Sequence, residues 1–343
     1  MLTNNVAALL GAVAAIGQAA ALNIHRREHG HDHAHRLVKK EDAKTQPAAA
    51  FGLKDDVAAA LSGSQLFPLV VPPAQESSPP SNNYADPAKG GSSKGPGFSG
   101  KRGLAYNDAA LANLVGSSAQ KGVCGWAYNW GQYPGNLDPQ YDFIPTLWGR
   151  GPNNQNNDFF NSWPSSASKA VANGTKALFS FNEPDNKGQS NIDCSTAATL
   201  HVQHMNPYGH KTLIGAPSVT NSNVPGEGLD WLKGWVQHCK TEGCLYDFCN
   251  VHWYSPCKDA DTLFDHIKKA HDICEGKPIW LTEFAPVGAS DDETAEFLAK
   301  VIPKLESIDY LHAYSYFMVG SSSLQLLSSP SSLSKIGNKY VSL

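Results

Sequence analysis

The sequence lacks the features of a protein that binds nucleic acid or spans a membrane. Its 343 residues carry a formal net charge of −4, which offers no electrostatic attraction to nucleic acid or to an anionic membrane. After residue 21, no apolar run approaches the roughly 20 residues that a membrane helix needs. Residues 335–343 are not a hydrophobic tail, so they do not form a lipid-anchor signal. We expect no nucleic-acid partner, no membrane partner and a monomer.

Cysteine is absent from the first 120 residues, and all seven cysteines follow: Cys124, Cys194, Cys239, Cys244, Cys249, Cys257 and Cys274. In an oxidising compartment, seven cysteines allow up to three disulfides and one leftover thiol. A zinc site at Cys239, Cys244 and Cys249 is the competing interpretation, but spacings of five do not match the usual C-x2-4-C pattern. Cys124 lies inside an apolar strand pattern, where a buried thiol is expected. The sequence predicts disulfides without their connectivity, and no metal.

The longest apolar run of the sequence lies at its N-terminus. Residues 6–21 are small and apolar and end in three alanines, which is typical of a secretory signal peptide, although no Lys or Arg precedes them. Asn4, Asn5 and Gln18 shorten the run and argue against a membrane helix. We predict a signal peptide over residues 1–21 and a secreted protein of the extracellular space or cell wall.

Residues 22–102 are predicted to be a disordered linker or propeptide. Histidines alternate at His29, His31, His33 and His35; such a tract can bind copper or zinc, but we interpret it as solvated linker. Residues 71–100 are rich in Pro, Gly and Ser and contain too few apolar groups to form a core. The basic pair at residues 101–102 is either a processing site or a chance occurrence. The folded domain is expected over residues 103–343.

From residue 103 onward, apolar runs alternate with amphipathic stretches. Helical stripes are formed by Leu229, Leu232, Val236 and Cys239, and by Leu263, Ile267, Ala270 and Cys274. A capping box at residues 290–293 opens a further helix. Alternating strands and helices over about 240 residues predict an α/β fold, a (β/α)8 barrel of the TIM type. The strand-like runs number seven: GVCGWAYNW, FIPTLWG, ALFSFNEP, TLIGAPSV, FCNVHWYS, PIWLTEF and YLHAYSYFMV.

Because a closed barrel needs eight strands, one is missing from this count. Either a strand between Gly149 and Ala170 is disguised by Asn and Ser, or the barrel is irregular around strand 3.

Two apolar runs each deliver a glutamate at their end. FNEPDN at residues 181–186 contains Glu183, and IWLTEF at residues 279–284 contains Glu283. In a barrel, a residue at the C-terminal end of a strand faces the active-site mouth. Two facing carboxylates can cleave a glycosidic bond, since one protonates the leaving oxygen while the other attacks the anomeric carbon or activates water. The alternative is an exposed Asn-Glu-Pro turn and a surface glutamate.

Aromatic residues also collect near the predicted strand ends: Tyr128, Trp130, Trp148, Trp253, Trp280, Tyr316 and Phe317. Sugar rings stack on aromatic faces, so this set indicates a saccharide cleft, while ordinary barrel core is the alternative for each member. Trp148, beside Gly149, is the predicted exposed platform.

The segments from residue 102 to the C-terminus resemble glycoside hydrolase family 128, the fungal endo-β-1,3-glucanase group of a clan of retaining (β/α)8 glycosidases. The matching pieces occur in the same order: RGLAYND, WAYNWG, PTLWG, FNEPDN, VHWYS and WLTEF. The resemblance implies that Glu183 is the acid/base at the end of strand 4 and Glu283 the nucleophile at the end of strand 7. It also implies that Asn182 binds the sugar 2-hydroxyl and that Tyr254 orients the nucleophile.

His252 lines the site or is a satisfied interior histidine; Tyr128, Trp130, Trp148 and Trp253 are the further candidate substrate contacts. The expected activity is retaining endo-hydrolysis of the β-1,3-glucan of the fungal cell wall, without a cofactor or metal. The alternatives are a non-catalytic glucan-binding protein on the same barrel, or another activity of the clan such as xylan or mannan hydrolysis.

Overall fold

The structure is a computed structural model that describes residues 96–149 and 158–343. The predicted signal peptide, the histidine tract and the predicted linker up to residue 95 lie outside the described residues. Within the described ranges, no helix is long and apolar enough to cross a membrane.

Eight parallel strands form one sheet in the order β3-β2-β1-β8-β7-β6-β5-β4. Their bounds are β1 Arg102–Tyr106, β2 Cys124–Tyr128, β3 Asp142–Phe143, β4 Ala177–Leu178, β5 Leu213–Val219, β6 Phe248–Ser255, β7 Ile279–Pro286 and β8 Leu311–Val319. The two edges meet just past β3 and β4, where Thr146 and Phe179 form a parallel bridge and the amide of Leu147 donates to the carbonyl of Phe179 (3.0 Å). The sheet therefore curls into the predicted TIM-type barrel.

The missing strand is β1, and it precedes the seven recognised runs. A disguised strand between Gly149 and Ala170 is wrong for the described part of that stretch, which belongs to a helix over Asp158–Ala172. β1 escapes recognition because its five residues begin with a charged arginine at the end of a polar segment, yet all five are buried. The expected irregularity around strand 3 is confirmed, since β3 and β4 have two residues each.

Seven helices surround the sheet in the described ranges: α1 Ala109–Ser118, α2 Asp158–Ala172, α3 Cys194–His204, α4 Gly228–Glu242, α5 Asp261–Ile273, α6 Asp291–Ser307 and α7 Lys335–Ser342. Short 3-10 helices lie between them at Asn206–Tyr208 and Cys257–Asp259. A separate pair of short strands is formed by β9 Leu327–Ser329 and β10 Ser332–Leu333. Leu232, Val236 and Cys239 of the first predicted stripe are buried on α4, and Leu263, Ile267 and Ala270 of the second are buried on α5. Leu229 is only partly buried, and Cys274 follows the end of α5. The predicted capping box at Ser290 and Glu293 starts α6 and satisfies two amides that lack helical partners.

The barrel has two apolar layers, because consecutive strand residues point to opposite faces. The interior is filled with aromatic rings, among them Trp126, Phe179, Phe248 and Trp280. A larger layer lies between the strands and the helices. Phe98 covers the interior from upstream of β1, with its ring centroid 6.0 Å from that of Trp126 and 5.4 Å from that of Trp280.

The folded region begins before the predicted boundary at residues 102/103. Arg102 is buried, and its guanidinium donates to the carbonyls of Tyr340 (2.5 Å) and Leu343 (2.9 Å) and to the carboxylate of Glu306 (3.1 Å). These acceptors compensate the charge, which is why a basic residue occupies a strand position here. The basic pair at residues 101–102 is therefore part of the barrel rather than the end of a linker.

The cysteines form two disulfides, Cys239–Cys244 and Cys249–Cys274. These pairings use all three members of the alternative zinc site. Cys124, Cys194 and Cys257 are reduced, and the predicted burial of Cys124 is confirmed.

Candidate active site

The structure brings the two predicted carboxylates together at the C-terminal end of the barrel. Glu183 lies just past β4 and Glu283 lies within β7, and each is only 5% exposed. One carboxylate oxygen of each residue and one ring nitrogen of His252 lie within 4.8 Å of one another. The strand numbering derived from the sequence, with Glu183 at the fourth strand and Glu283 at the seventh, matches this placement.

Glu283 is held by three side-chain donors from other strands or loops. Its Oε1 accepts from the indole N–H of Trp130 (2.7 Å) and the hydroxyl of Tyr128 (3.3 Å), while its Oε2 accepts from the hydroxyl of Tyr254 (2.5 Å). Burial and the charge of Glu283 raise the pKa of both tyrosines well above their ordinary value. The tyrosines therefore remain protonated donors that, with the indole of Trp130, fix the position of the Glu283 carboxyl group.

Glu183 occupies a backbone conformation that side-chain-bearing residues seldom adopt. Its φ is +43°, and its amide donates to the carbonyl of Ser218 on β5 (2.8 Å). Its Oε1 contacts His252 Nδ1 at 2.8 Å, and its Oε2 accepts from the side-chain nitrogen of Asn186 (3.4 Å). Such strain costs on the order of 1–3 kcal/mol and is concentrated at functional sites. Here the left-handed turn directs the carboxylate of Glu183 toward His252.

His252 on β6 connects the two carboxylates. Its Nδ1 faces Glu183, and its Nε2 lies 3.0 Å from the hydroxyl of Thr282 and 3.5 Å from Oε1 of Glu283. The hydroxyl of Thr282 donates to Asn250 Oδ1 (2.6 Å), so it accepts from Nε2–H of His252. Nδ1 then either accepts a proton from neutral Glu183 or donates one to ionised Glu183.

Glu183 and His252 thus share one proton in this geometry. Burial on its own lowers the pKa of His252, but the charge of Glu283 and the hydrogen bond and charge of Glu183 raise it, and the net pKa lies above the ordinary value. The raised pKa favours the form of His252 in which Nδ1–H donates to the carboxylate of Glu183.

Glu183, His252 and Glu283 are also residue types that ligate metals. Their atoms, however, are already engaged: both ring nitrogens of His252 face protein partners, and Glu283 accepts from indole and phenol groups. A metal would have to displace these hydrogen bonds. The donor set fits a proton-transfer chain better than a metal site, and the expectation that no metal is needed stays a prediction.

The other predicted contacts fall into different places. Tyr128, Trp130 and Tyr254 reach Glu283, as described above. Asn182 lies beside Glu183, with its amide nitrogen 3.4 Å from Gln189 Oε1. Phe317 packs at this end too, with its ring centroid 5.7 Å from those of Trp130 and Tyr254.

Trp148 is not the exposed platform that the sequence predicts. It is as buried as the two glutamates, belongs to the interior cluster and lies 6.4 Å from Phe159 by ring centroid. Its carbonyl accepts from the amide of Asn182 (2.9 Å), which fixes the segment before Glu183. The contact of Trp148 with substrate stays a prediction, but the prediction that its side chain is exposed is wrong.

Trp253 lies on the outside of the barrel, so its predicted role in substrate binding is wrong. It is 0% exposed and stacks on Phe297 of α6, with centroids 5.6 Å apart, and its N–H donates to Thr262 of α5 (3.1 Å). Its neighbours His252 and Tyr254 both face the site, and alternation along the strand forces Trp253 to the opposite side. That parity was readable from the sequence.

Asp185 is a functional-site neighbour that sequence reasoning missed. Its buried carboxylate accepts from the hydroxyl of Thr220 (2.5 Å) and from the amide of Gly228 at the start of α4 (2.8 Å). Burial and the charge of Glu183 raise the pKa of Asp185 to about 6. An acid two residues after Glu183, at the end of an apolar run, was the available signal. Thr282 and Asn250 were also missed, because their role depends on strand register.

Comparison with known proteins identifies the family. The model for the glycosyl hydrolase catalytic core matches residues 103–340. Alkali-sensitive linkage protein 1 of Schizosaccharomyces pombe is 31% identical over 262 residues, which cover 71% of this chain and 45% of that protein. The present chain therefore spans less than half of that curated relative.

Solved structures agree with this assignment. A curdlan-specific exo-β-1,3-glucanase of family GH128, subgroup III, from Blastomyces gilchristii, in complex with glucose, is 32% identical with a TM-score of 0.63, covering 72% of this chain and 99% of that one. A GH128 subgroup II endo-β-1,3-glucanase from Sorangium cellulosum is 25% identical with a TM-score of 0.58, covering 71% and 98%. The chain belongs to glycoside hydrolase family 128.

Proposed function

We propose that this protein hydrolyses β-1,3-glucan with retention of configuration, using Glu283 as nucleophile and Glu183 as acid/base. The observation that carries the proposal is the approach of the two carboxylates: one oxygen of Glu183 and one oxygen of Glu283 lie within 4.8 Å of each other. Retaining glycosidases separate their carboxyl groups by about 5–5.5 Å, whereas inverting enzymes need about 6.5–9.5 Å to fit a water molecule between carboxylate and sugar.

The hydrogen bonds of each glutamate support its role. Glu283 accepts from three neutral donors, which fix its carboxylate in one orientation, as a nucleophile requires. Glu183 instead accepts from Nδ1–H of His252 at Oε1, which leaves Oε2 to carry the proton that an acid/base gives and regains. A barrel that only binds glucan has no need of this second carboxylate and its proton partner, so we favour the enzyme.

The chemistry then balances in two steps. Glu183 protonates the glycosidic oxygen as the bond to the anomeric carbon breaks, and Glu283 forms an ester with that carbon. Ionised Glu183 next removes a proton from water, the water oxygen bonds to the anomeric carbon, and Glu283 leaves as a carboxylate. His252 holds Glu183 in place through both steps when its Nδ1–H donates to Oε1 across the 2.8 Å contact, and the transferred proton is then carried by Oε2 of Glu183.

The substrate assignment is supported by the 32% identical relative, which is described as curdlan-specific. Our sequence-based expectation is endo action; that relative is described as exo-acting, whereas the Sorangium enzyme is described as endo-acting. The sizes of the first products from a long glucan decide between the two modes.

The test compares the wild-type protein with Glu183→Gln and Glu283→Gln on laminarin, curdlan, xylan and mannan. We expect wild-type turnover on the β-1,3-glucans and a loss of roughly 10⁴-fold or more in each variant. Glu227→Gln is the matched control, because Glu227 precedes α4 at the same end of the barrel and its carboxylate bonds Ser222.

NMR of the first-formed sugars should show the β anomer. First products in the α form would refute retention, and more than a few per cent of activity in either glutamine variant would refute the assigned roles. Cleavage of xylan or mannan alone would refute the substrate.

We also propose that the protein is secreted to the extracellular space or cell wall. Two disulfides support an oxidising compartment. N-terminal sequencing of protein from culture medium tests this proposal, and recovery only from cell lysate, with residue 1 retained, would contradict it.

A further inference from the structure

Three large hydrophobic side chains are exposed in the described residues: Tyr133 (55%), Val224 (49%) and Leu343 (40%). Tyr133 follows β2 and Val224 follows β5. Because all eight strands are parallel, both residues lie at the end of the barrel that carries Glu183 and Glu283. Tyr133 is the only aromatic member of this exposed group in the part of the chain that the structure describes.

The backbone on both sides of Tyr133 is fixed. The side chain of Asn129 accepts from the amide of Gly131 (3.1 Å) and donates to the carbonyl of Tyr133 itself (2.9 Å). The carbonyl of Gly131 accepts from the amide of Thr146 (2.9 Å), and that of Pro134 accepts from the hydroxyl of Tyr106 (2.7 Å). The loop is therefore tied to the neighbouring strands.

Gln132, immediately before Tyr133, points into the protein. It is buried, donates to the carbonyl of Phe159 (2.7 Å) and accepts from the hydroxyl of Ser166 on α2 (2.5 Å). With Gln132 anchored inside, the ring of Tyr133 is directed outward. A ring held outward by an ordered backbone loses little conformational freedom when a ligand covers it.

The same loop reaches the catalytic centre. Trp130, three residues before Tyr133, donates its indole N–H to Glu283 at 2.7 Å. Three residues span about 10 Å at most, so Tyr133 stands at the rim of the site rather than on a distant surface. Residues 129–137 contain no charged side chain, which suits an uncharged ligand.

We propose that the ring of Tyr133 is a stacking platform for a glucosyl unit of the glucan chain, outside the position where the bond is cut. The inference rests on the proposed function, because it takes β-1,3-glucan as the ligand. A tyrosine ring offers an apolar face to the C–H groups of a pyranose and a hydroxyl for hydrogen bonding. Sugars bound at the cleavage site itself contact Trp130 and the glutamates; the platform serves only chains long enough to reach the rim.

The test measures kcat/KM for laminari-oligosaccharides of increasing length and for laminarin. Tyr133→Ala should lower kcat/KM by about threefold to tenfold on the longest chains, in line with an aromatic stacking contact, and leave the shortest cleaved oligosaccharide unaffected. Tyr133→Phe keeps the ring and should retain most of the activity on long chains. Val224→Ala is the matched control, since it truncates the other exposed apolar residue at this end of the barrel.

The outcomes separate the two proposals. If the wild type cuts β-1,3-glucan and Tyr133→Ala shows the same dependence on chain length as the wild type, the platform is refuted and the proposed function stands. An equal loss on all lengths also refutes it, because that result indicates a disturbed Trp130 loop. A wild type that cuts no β-1,3-glucan overturns both proposals.

Discussion

The Nδ1 atom of His252 lies 2.8 Å from Oε1 of Glu183, and both residues are buried. Because Nε2 of the same ring is committed to the hydroxyl of Thr282, the ring has a fixed orientation and presents Nδ1 to Glu183. The position of Glu183 therefore depends on a residue 69 places further along the chain.

His252→Ala should lower kcat/KM by about 100-fold or more, since misplacing a reacting group by about 1 Å costs that much. The effect should fall mainly on kcat, because His252 lies behind the carboxylates rather than against the sugar. His201→Ala is the matched control: His201 is equally buried, but it bonds Ser180 and the carbonyl of Leu245 on the far side of β4. It should lose thermal stability and keep its rate per folded molecule; equal kcat losses in both variants would contradict a specific role for His252.

Asp185 predicts a pH-dependent stability. Its pKa of about 6 in the folded protein exceeds the value of about 3.9 in an unfolded chain. The folded state thus holds this proton more tightly than the unfolded chain does. The contribution of protonated Asp185 to the free energy of unfolding is therefore fully present below about pH 4, and it is lost as the pH rises through about 6. The difference has an upper limit of about 3 kcal/mol.

Asp185→Asn mimics the protonated form and removes this titration. The melting temperature of the wild type minus that of the variant should be larger at pH 4 than at pH 7, measured by calorimetry in buffers of equal ionic strength. Asp193→Asn serves as control, because Asp193 caps α3 and has a lowered pKa from its hydrogen bonds to Thr196. A difference for Asp185→Asn that stays constant with pH would show that its titration does not contribute.

Substitutions of Trp130 and Trp253 should have different effects, because Trp130 contacts Glu283 and Trp253 packs against α6. Trp130→Phe removes an indole donor from Glu283 and should lower kcat about tenfold or more, the effect of one hydrogen bond to a charged group, with little change in melting temperature. Trp253→Phe weakens the stack on Phe297 and should lower the melting temperature, while kcat per folded molecule stays unchanged. Steady-state kinetics and thermal melts of both variants check this prediction. The reverse pattern would show that Trp253, rather than Trp130, contributes to the active site.

Residues 96–102 are expected to stabilise the barrel, and truncated chains test this expectation. A chain starting at Pro96 should melt like the full chain, whereas one starting at Gly103 should melt at least about 5 °C lower. The shorter chain loses the hydrogen bonds of Arg102 to Tyr340, Leu343 and Glu306, worth about 2 kcal/mol together. Arg102→Ala in the full chain should reproduce most of the loss, and equal melting of the two truncated chains would show that residues 96–102 do not stabilise the barrel.

Several features of the fold were predictable because they depend on local pattern. The apolar runs LFSF and PIWLT lead into Glu183 and Glu283, and parallel topology alone brings these two residues to one end of the barrel. The capping box at Ser290 was predictable for the same reason, since both partners are three residues apart. β1 was not, because Arg102 owes its burial to acceptors more than 200 residues away.

The aromatic residues show where residue type is insufficient. Trp130 and Trp253 have the same side chain, yet one donates to Glu283 and the other packs against α6. Strand parity would have separated them, since Trp253 lies between two site-facing residues. The chain from Asn250 through Thr282 to His252 could not be predicted, because it depends on the register of β6 against β7.

The strands differ in length around the circumference of the barrel. β6 and β7 have eight residues each and β8 has nine, whereas β3 and β4 have two each. Glu283 is therefore carried by a long strand between two other long strands, whereas Glu183 follows one of the two shortest. Strand pairing alone can position the residue proposed as nucleophile. The residue proposed as acid/base instead depends on contacts outside its own strand, namely the carbonyl of Ser218 and the ring of His252.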